Sequence, residues 1–188
     1  MAKGKFSILW VLLGIVVVAV VAYISIGNQL VGMEEKVNTA WSEVENQFQR
    51  RYDLIPNLVA TVKGFTSHEQ AIIDSVTEAR AKLGGAKTID EKIDAANGLE
   101  GALSRLLVVV ENYPELKADT QFTALMDELS GTENRIAVAR GRYNDEVRTF
   151  NTRIRTFPTS IVANMRGFTA KKLFEAAEGS EVAPKVEF

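Results

Sequence analysis

The chain has 188 residues, with 22 Lys or Arg, 24 Asp or Glu, one His and no cysteine. The missing cysteine excludes disulfides, thiolate nucleophiles and thiolate metal sites, and a net charge of −2 lacks the basic surplus that a nucleic-acid partner demands. Setting aside an apolar amino-terminal stretch leaves about 160 residues, enough for one domain with a proper core.

That stretch runs from Phe6 to Ile26 without a charge, FSILWVLLGIVVVAVVAYISI, and matches the roughly 20 helical residues that cross about 30 Å of hydrocarbon. Trp10 and Tyr23 lie toward its two ends, where amphipathic aromatics prefer the membrane interfaces. A cleaved signal peptide is the competing reading. The apolar run is longer than a signal core and no A-x-A site follows it, so the segment reads as a retained transmembrane helix. Lys3 and Lys5 precede the span, whereas Glu34, Glu35 and Lys36 follow it. The positive-inside rule therefore puts residues 1–5 in the cytoplasm and the rest of the chain outside the cytosol.

A first soluble helix is predicted from about Asn28 to Phe65, roughly 57 Å at 1.5 Å per residue and open to continuity with the span. Its apolar line, Val37, Trp41, Val44, Phe48, Ile55, Leu58, Val62 and Phe65, keeps four and three spacing once Arg51 is counted as a member. A sustained seven-residue repeat belongs to a helix laid along partner helices. Arg51 has two readings: an arginine whose stem packs while its head reaches water, or a desolvated charge paired with Glu128, Glu133 or Asp145. Pro56 also has two. Either Asp53 caps a new helix, or the helix bends and continues, which the unbroken repeat favours. In the second case the carbonyls freed by proline call for a donor from Asn57 or from a neighbouring helix.

Ser67-His68-Glu69-Gln70 has the form of a capping box and opens a second helix, with apolar residues Ile72, Val76, Ala79 and Leu83, that Gly84-Gly85 ends. Thr88-Ile89-Asp90-Glu91 is another such box. It opens a third helix whose face is Ile89, Ile93, Ala96, Leu103, Leu107 and Val110 and which stops near Asn112, ahead of Pro114. A fourth helix, from about Lys117 to Arg155, carries the stripe Phe122, Leu125, Leu129, Ile136, Ala139, Tyr143, Val147, Phe150, Ile154 and Phe157, continuous through Gly131. Its polar residues Glu133, Asn134, Arg140, Tyr143 and Asn144 are either a solvated face or an interhelical network, and a buried Tyr143 hydroxyl needs a partner. Short connections make successive helices antiparallel. The expected fold is therefore all-α: a transmembrane helix followed by an elongated up-and-down antiparallel four-helix bundle over residues 28–156.

Residues 157–174 form a short carboxyl-terminal amphipathic segment. Phe157, Ile161, Met165 and Phe168 line its apolar face, with Arg166, Lys171 and Lys172 beside it. Such a segment suits a membrane interface, its own bundle or a neighbouring protomer. Residues 175–188 are acidic and small, a composition expected to stay disordered.

Nothing in the pattern points to catalysis. His68 is the single histidine, so neither an H-E-x-x-H zinc site nor the doubled Glu-x-x-His of di-iron bundles is available. Gly84-Gly85 lacks the Gly-Lys-Ser/Thr that completes a phosphate loop, and no serine sits in a G-x-S-x-G elbow. No metal or cofactor is expected.

The run Gln49-Arg50-Arg51-Tyr52-Asp53-Leu54-Ile55-Pro56-Asn57-Leu58-Val59, with His68-Glu69, Ala79-Arg80, Tyr113-Pro114-Glu115-Leu116-Lys117, Glu133-Asn134, Arg140, Tyr143-Asn144 and Phe157-Pro158, resembles the LemA family of bacterial membrane-anchored proteins. The resemblance extends from the anchor to about Phe174 and implies one amino-terminal span, a helical bundle and a location in the bacterial cell envelope. Some relatives are linked to magnetosome formation or to membrane proteases. The sequence reading is thus a noncatalytic, self-associating scaffold or adaptor in the cell membrane, whose partners are the lipid bilayer, further copies of itself and another membrane protein such as a membrane protease. Membrane remodelling or lipid binding through the carboxyl-terminal segment is the alternative, and catalysis stands last. Arg50, Arg51, Asp53, Pro56, Asn57, Glu133, Asn134, Arg140, Tyr143 and Asn144 are the candidate structural or interaction residues. Reporter fusions at both ends are expected to read a cytosolic amino terminus and a carboxyl terminus outside the cytosol; a cytosolic carboxyl terminus would overturn the orientation.

Overall fold

The structure, a computed structural model, describes residues 3–65 and 69–174. Within them the regular secondary structure is entirely helical: α1 (Lys3–Phe65), α2 (Gln70–Gly85), α3 (Ile89–Val110), α4 (Pro114–Lys117), α5 (Thr120–Arg155) and α6 (Thr159–Arg166). The described residues divide into two compact units, one made of residues 3–40 and 143–173 and the other of residues 41–65, 69–142 and 174; residues 175–188, expected to stay disordered, lie outside the described residues.

The span and the first soluble helix are one element, since α1 is unbroken over 63 residues and passes through Pro56. Its length and composition suit a membrane crossing. Side chains such as Val11, Leu13, Val18 and Val21 are more than half exposed, as lipid-facing residues are when the bilayer supplies their environment. After Ile26 the pattern changes to a stripe. Leu30, Val37 and Ala40 are buried in the first unit, and Trp41, Val44, Phe48, Ile55, Leu58 and Val62 in the second. The predicted seam is thus the packed face, except that Phe65 at the helix end is 41% exposed.

In the second unit α2 and α3 form a helical hairpin. Ser67 and His68, and with them the expected capping box, lie outside the described residues. α2 begins at Gln70 and buries Ile73, Val76 and Leu83, so Ile73 takes the place expected for Ile72, and Ala79 is only half-buried. Gly84 and Gly85 end it as the sequence predicts.

α3 is closed by the predicted box. The Glu91 amide donates to Thr88 Oγ1 at 3.2 Å, and the Glu91 carboxylate accepts from the amides of Thr88 at 3.1 Å and Lys87 at 2.8 Å. These backbone donors hold the Glu91 carboxyl below the usual carboxylate range. Its packed face is Ile93, Leu99, Ala102, Leu103, Leu106 and Val110, rotated from the expected line. Leu107 is 37% exposed, and Ile89 and Ala96 are intermediate. A run as apolar as Leu106–Val110 does not reveal by itself which side packs, because every position in it is acceptable on a buried face.

The turn α4 fills the link that sequence reading left open. Pro114 occupies its first position, where a missing amide costs nothing, and Leu116 is fully buried. α5 starts at Thr120 because the Asp119 carboxylate accepts from the Phe122 amide at 2.8 Å, the geometry of an N-cap. Its stripe is buried at Phe122, Leu129, Ile136, Ala139, Tyr143, Val147, Phe150 and Ile154. Leu125 is half-exposed, and buried Thr132 joins the stripe by donating its hydroxyl to the Leu129 carbonyl at 2.7 Å. Phe157, expected on the stripe, is 82% exposed: α5 ends at Arg155, and the following Pro158 turns Phe157 off the helix.

In the first unit α6 follows and ends at Gly167, whose φ of 77° lies in the left-handed region that glycine enters without a Cβ clash. The Phe168 amide closes the end on the Ala163 carbonyl at 3.0 Å. Thr88→Ala removes the cap of α3 and is expected to cost about 1 kcal/mol. Denaturant unfolding of the full-length protein would measure it, and no loss of stability would show that the box is dispensable.

Candidate functional site

The residues singled out from sequence fall into two sets, one in each unit. In the second unit the centre is Arg51, which sits on the packed stripe of α1 between Phe48 and Ile55. Its side chain is 11% exposed and its Nη1 lies 2.5 Å from the Glu133 carboxylate of α5. Of the three carboxylates the sequence offered, Glu133 is the one that answers. Glu128, one turn away, takes its neighbour: Arg50 Nε donates to it at 2.7 Å and Arg135 Nη2 at 2.9 Å. Beside the Arg51–Glu133 pair lies a cleft of about 300 Å³ lined by apolar Leu58, Leu103, Met126 and Leu129 and by polar Ser104, Ser130 and Asn134.

Pro56 shows how the chain repairs its own break. A proline inside a helix removes the donor for the carbonyl four residues earlier, here that of Tyr52. Arg80 Nε of α2 donates to the Tyr52 carbonyl at 3.0 Å, while its guanidinium lies 3.7 Å from the centre of the Tyr52 ring. One arginine thus supplies the missing hydrogen bond and a cation–π contact. The expected neighbouring-helix donor exists, although sequence reading did not identify it as Arg80. Asp53 does not cap a new helix; it accepts from Gln49 within α1 at 2.9 Å. Asn57 is exposed, and its carbonyl accepts from the Thr61 hydroxyl. Arg140 stacks over the Phe174 ring at 4.1 Å, and Phe174 in turn lies 6.1 Å from Phe48.

In the first unit Tyr143 is 1% exposed, and its hydroxyl donates to the Lys172 carbonyl at 2.9 Å. This is the partner its burial demands. Residues 167–174 run on without helix. Asn151 holds their middle from both sides: its amide donates to the Lys171 carbonyl at 2.8 Å and its carbonyl accepts the Lys171 amide at 2.8 Å. Lys171 Nζ pairs with Glu34 at 2.5 Å. Asn144 is half-buried on α5.

The expected apolar face of Phe157, Ile161, Met165 and Phe168 separates into two parts. Phe157, Ile161 and Met165 are exposed, whereas Phe168 packs edge-on against Phe150 with ring centres 6.1 Å apart. Gly167 causes the split, because ending α6 there removes Phe168 from the helical face. Asn151, Arg80 and Phe174 were missed as partners in sequence. Their roles depend on contacts between distant segments, which local spacing does not signal.

Among the described residues no three His, Cys, Asp or Glu side chains converge on a point that could hold a metal ion. The arginines instead meet carboxylates, a backbone carbonyl and aromatic rings. Their asymmetry in burial is testable: Glu133, 34% exposed, can return to water when Arg51 is removed, but Arg51 cannot when Glu133 is removed. Arg51→Met is expected to cost under about 1 kcal/mol and Glu133→Ala about 3 kcal/mol. Denaturant unfolding of both variants checks it, and equal losses would refute a desolvated Arg51.

Comparison with known proteins gives the chain's relatives. Over 93% of the chain and 74% of theirs, it is 26% identical to magnetosome protein MamQ 2 of Paramagnetospirillum magneticum and 28% identical to magnetosome protein MamQ of Magnetospirillum gryphiswaldense. It is 23% identical to protein LemA of Metamycoplasma hominis over 93% of this chain and 81% of that one. The family model of the LemA family matches residues 40–188, a range that holds the Arg51–Glu133 pair, the Arg80–Tyr52 contact and the segment held by Asn151. The chain therefore belongs to the LemA family.

Proposed function

We propose that the protein is a noncatalytic membrane-anchored scaffold or adaptor of the bacterial cell envelope and that it self-associates. One observation carries the reading: the polar side chains at the centre of each set, Arg51, Arg80, Tyr143 and Asn151, are already engaged in holding the chain together. Arg51 is neutralised by Glu133, Arg80 is committed to the Tyr52 carbonyl, and Tyr143 and Asn151 bind the backbone of residues 171 and 172. Groups held this way have little freedom to move protons or attack a substrate.

In this reading α1 roots the protein in the membrane and continues as one member of an up-and-down four-helix bundle with α2, α3 and α5. The buried stripes of these helices support the arrangement. The amino terminus is cytoplasmic and the bundle lies outside the cytosol, on the strength of Lys3 and Lys5 ahead of the span. Magnetosome proteins among the relatives support a role at a membrane. Partners are further copies of the chain and another membrane protein, such as a membrane protease.

A second reading is lipid binding or membrane remodelling through residues 157–174, which the exposure of Phe157, Ile161 and Met165 favours. For the scaffold, native mass of the full-length protein in nanodiscs is expected to be a multiple of the protomer mass. A strictly monomeric protein at all concentrations would overturn self-association.

A further inference from the structure

The first unit brings the carboxyl-terminal helix to the end of the membrane span. An uncharged run of 21 residues, Phe6–Ile26, rises about 31 Å at 1.5 Å per residue, the thickness of the hydrocarbon core. Ile26 therefore marks its edge, and Gly27 to Leu30 fall in the headgroup layer. α5 arrives at this level: Arg153 Nη2 donates to Gln29 at 2.9 Å, two residues before α5 ends.

α6 is then held against the same turn of α1. The Arg166 guanidinium lies 5.0 Å from the centre of the Tyr23 ring, and a Cβ at Gly27 would overlap that guanidinium. Glycine at position 27 thus makes the recess that receives Arg166. Thr159, Val162 and Ala163 turn inward and are buried. The other face shows Ile161 and Met165 at 52% and 69% exposure, and Phe157, just ahead of α6, is 82% exposed. Between residues 153 and 173 there are five basic residues, Arg153, Arg155, Arg166, Lys171 and Lys172, and no acidic one.

We propose that α6 is an interfacial anchor: Phe157, Ile161 and Met165 enter the leaflet at the Tyr23 end of the span, and the exposed guanidinium groups of Arg155 and Arg166 engage anionic lipid phosphates. The occupant follows from continuity, because a bilayer that covers α1 up to Ile26 extends sideways to whatever the protein holds at Tyr23 and Gly27. Glu34 balances Lys171, and the surround that remains is still net basic; an apolar face of this kind has the composition of helices that lie in the headgroup layer of anionic membranes. The inference rests on α1 as the span and on the lipid-binding reading of residues 157–174, to which it adds the depth, the lipid class and the residues responsible. Fastened beside the span, α6 would fix the rotation and tilt of the protein in its membrane.

The test uses the full-length protein in nanodiscs of phosphatidylcholine alone or with anionic phosphatidylglycerol. The chain has no cysteine, so single Val16→Cys, Lys36→Cys, Ile161→Cys and Met165→Cys variants each carry one nitroxide label at an exposed position. Collision rates with oxygen, which enters lipid, and with a water-soluble nickel chelate report depth. In anionic discs the oxygen-to-nickel ratio at 161 and 165 is expected to be several-fold above that at 36 and below that at 16, and to fall toward the value at 36 in phosphatidylcholine alone. Equal immersion in both lipids would overturn the recognition of anionic phosphate while leaving lipid binding standing. Water-like values at 161 and 165 with lipid-like values at 16 would overturn both, and water-like values at 16 would reject the span itself. Dipolar broadening between labels at 161 or 165 without lipid immersion would assign the face to a second copy and overturn the anchor.

Discussion

A guanidinium on the packed stripe of α1 has to be neutralised where it stands, and this requirement organises the second unit. Arg51 falls where the seven-residue repeat calls for an apolar side chain, so α5 must present a carboxylate opposite it, and Glu133 does so. A one-turn slip of α5 would leave a charge desolvated, at a cost of several kcal/mol. An apolar residue at position 51 would tolerate many registers; an arginine tolerates few. The neighbouring cross-helix pairs, Arg50 with Glu128 and Arg142 with Glu43, agree with the same alignment but are too exposed to impose it.

The same logic of local deficits met from elsewhere in the chain recurs. Pro56 orphans the Tyr52 carbonyl within α1, and Arg80 of α2 supplies the donor. Residues 167–174 form no helix, and Asn151 and Tyr143 of α5 satisfy their backbone groups. In each case a polar residue that would look functional in isolation completes the hydrogen bonding of a distant segment. Membership of the LemA family and a continuous helix from an apolar span into a packed stripe fit a protein that holds position at a membrane.

Much of the fold is legible in local sequence. The four and three spacing of α1 identified most of its buried face though not Leu30 and Ala40, the Thr88 box began α3, and Gly84-Gly85 ended α2, because these signals depend on residues within one or two turns of each other. The packed sides of α2 and α3 were less legible. Ile72 and Ile73 are adjacent and chemically alike, and Leu106–Val110 is apolar on every side, so only the position of the partner helix selects the face. For the candidate sites, the place of Arg51 in the seam and the need of a buried Tyr143 for a partner were readable from the apolar stripes, whereas two readings of the Arg51 head, in water or desolvated against a carboxylate, stayed open. The identity of Arg80 and Asn151 as partners was not, since they lie 28 and 20 residues from the backbone groups they bind.

The sequence by itself determined an apolar span, a helical chain without a strand pattern, the stripe of α1 with a charge in it, and a family membership carried by ordered local motifs. All of these are encoded in short-range spacing and composition. Tertiary structure alone decided that Glu133 rather than Glu128 or Asp145 meets Arg51, that Phe168 leaves the face it seemed to share with Met165, and that α6 is held at Tyr23 and Gly27. Those outcomes are set by which distant segments satisfy a buried charge, an unpaired carbonyl or a recess left by glycine, and such pairings exist only once the chain has closed on itself.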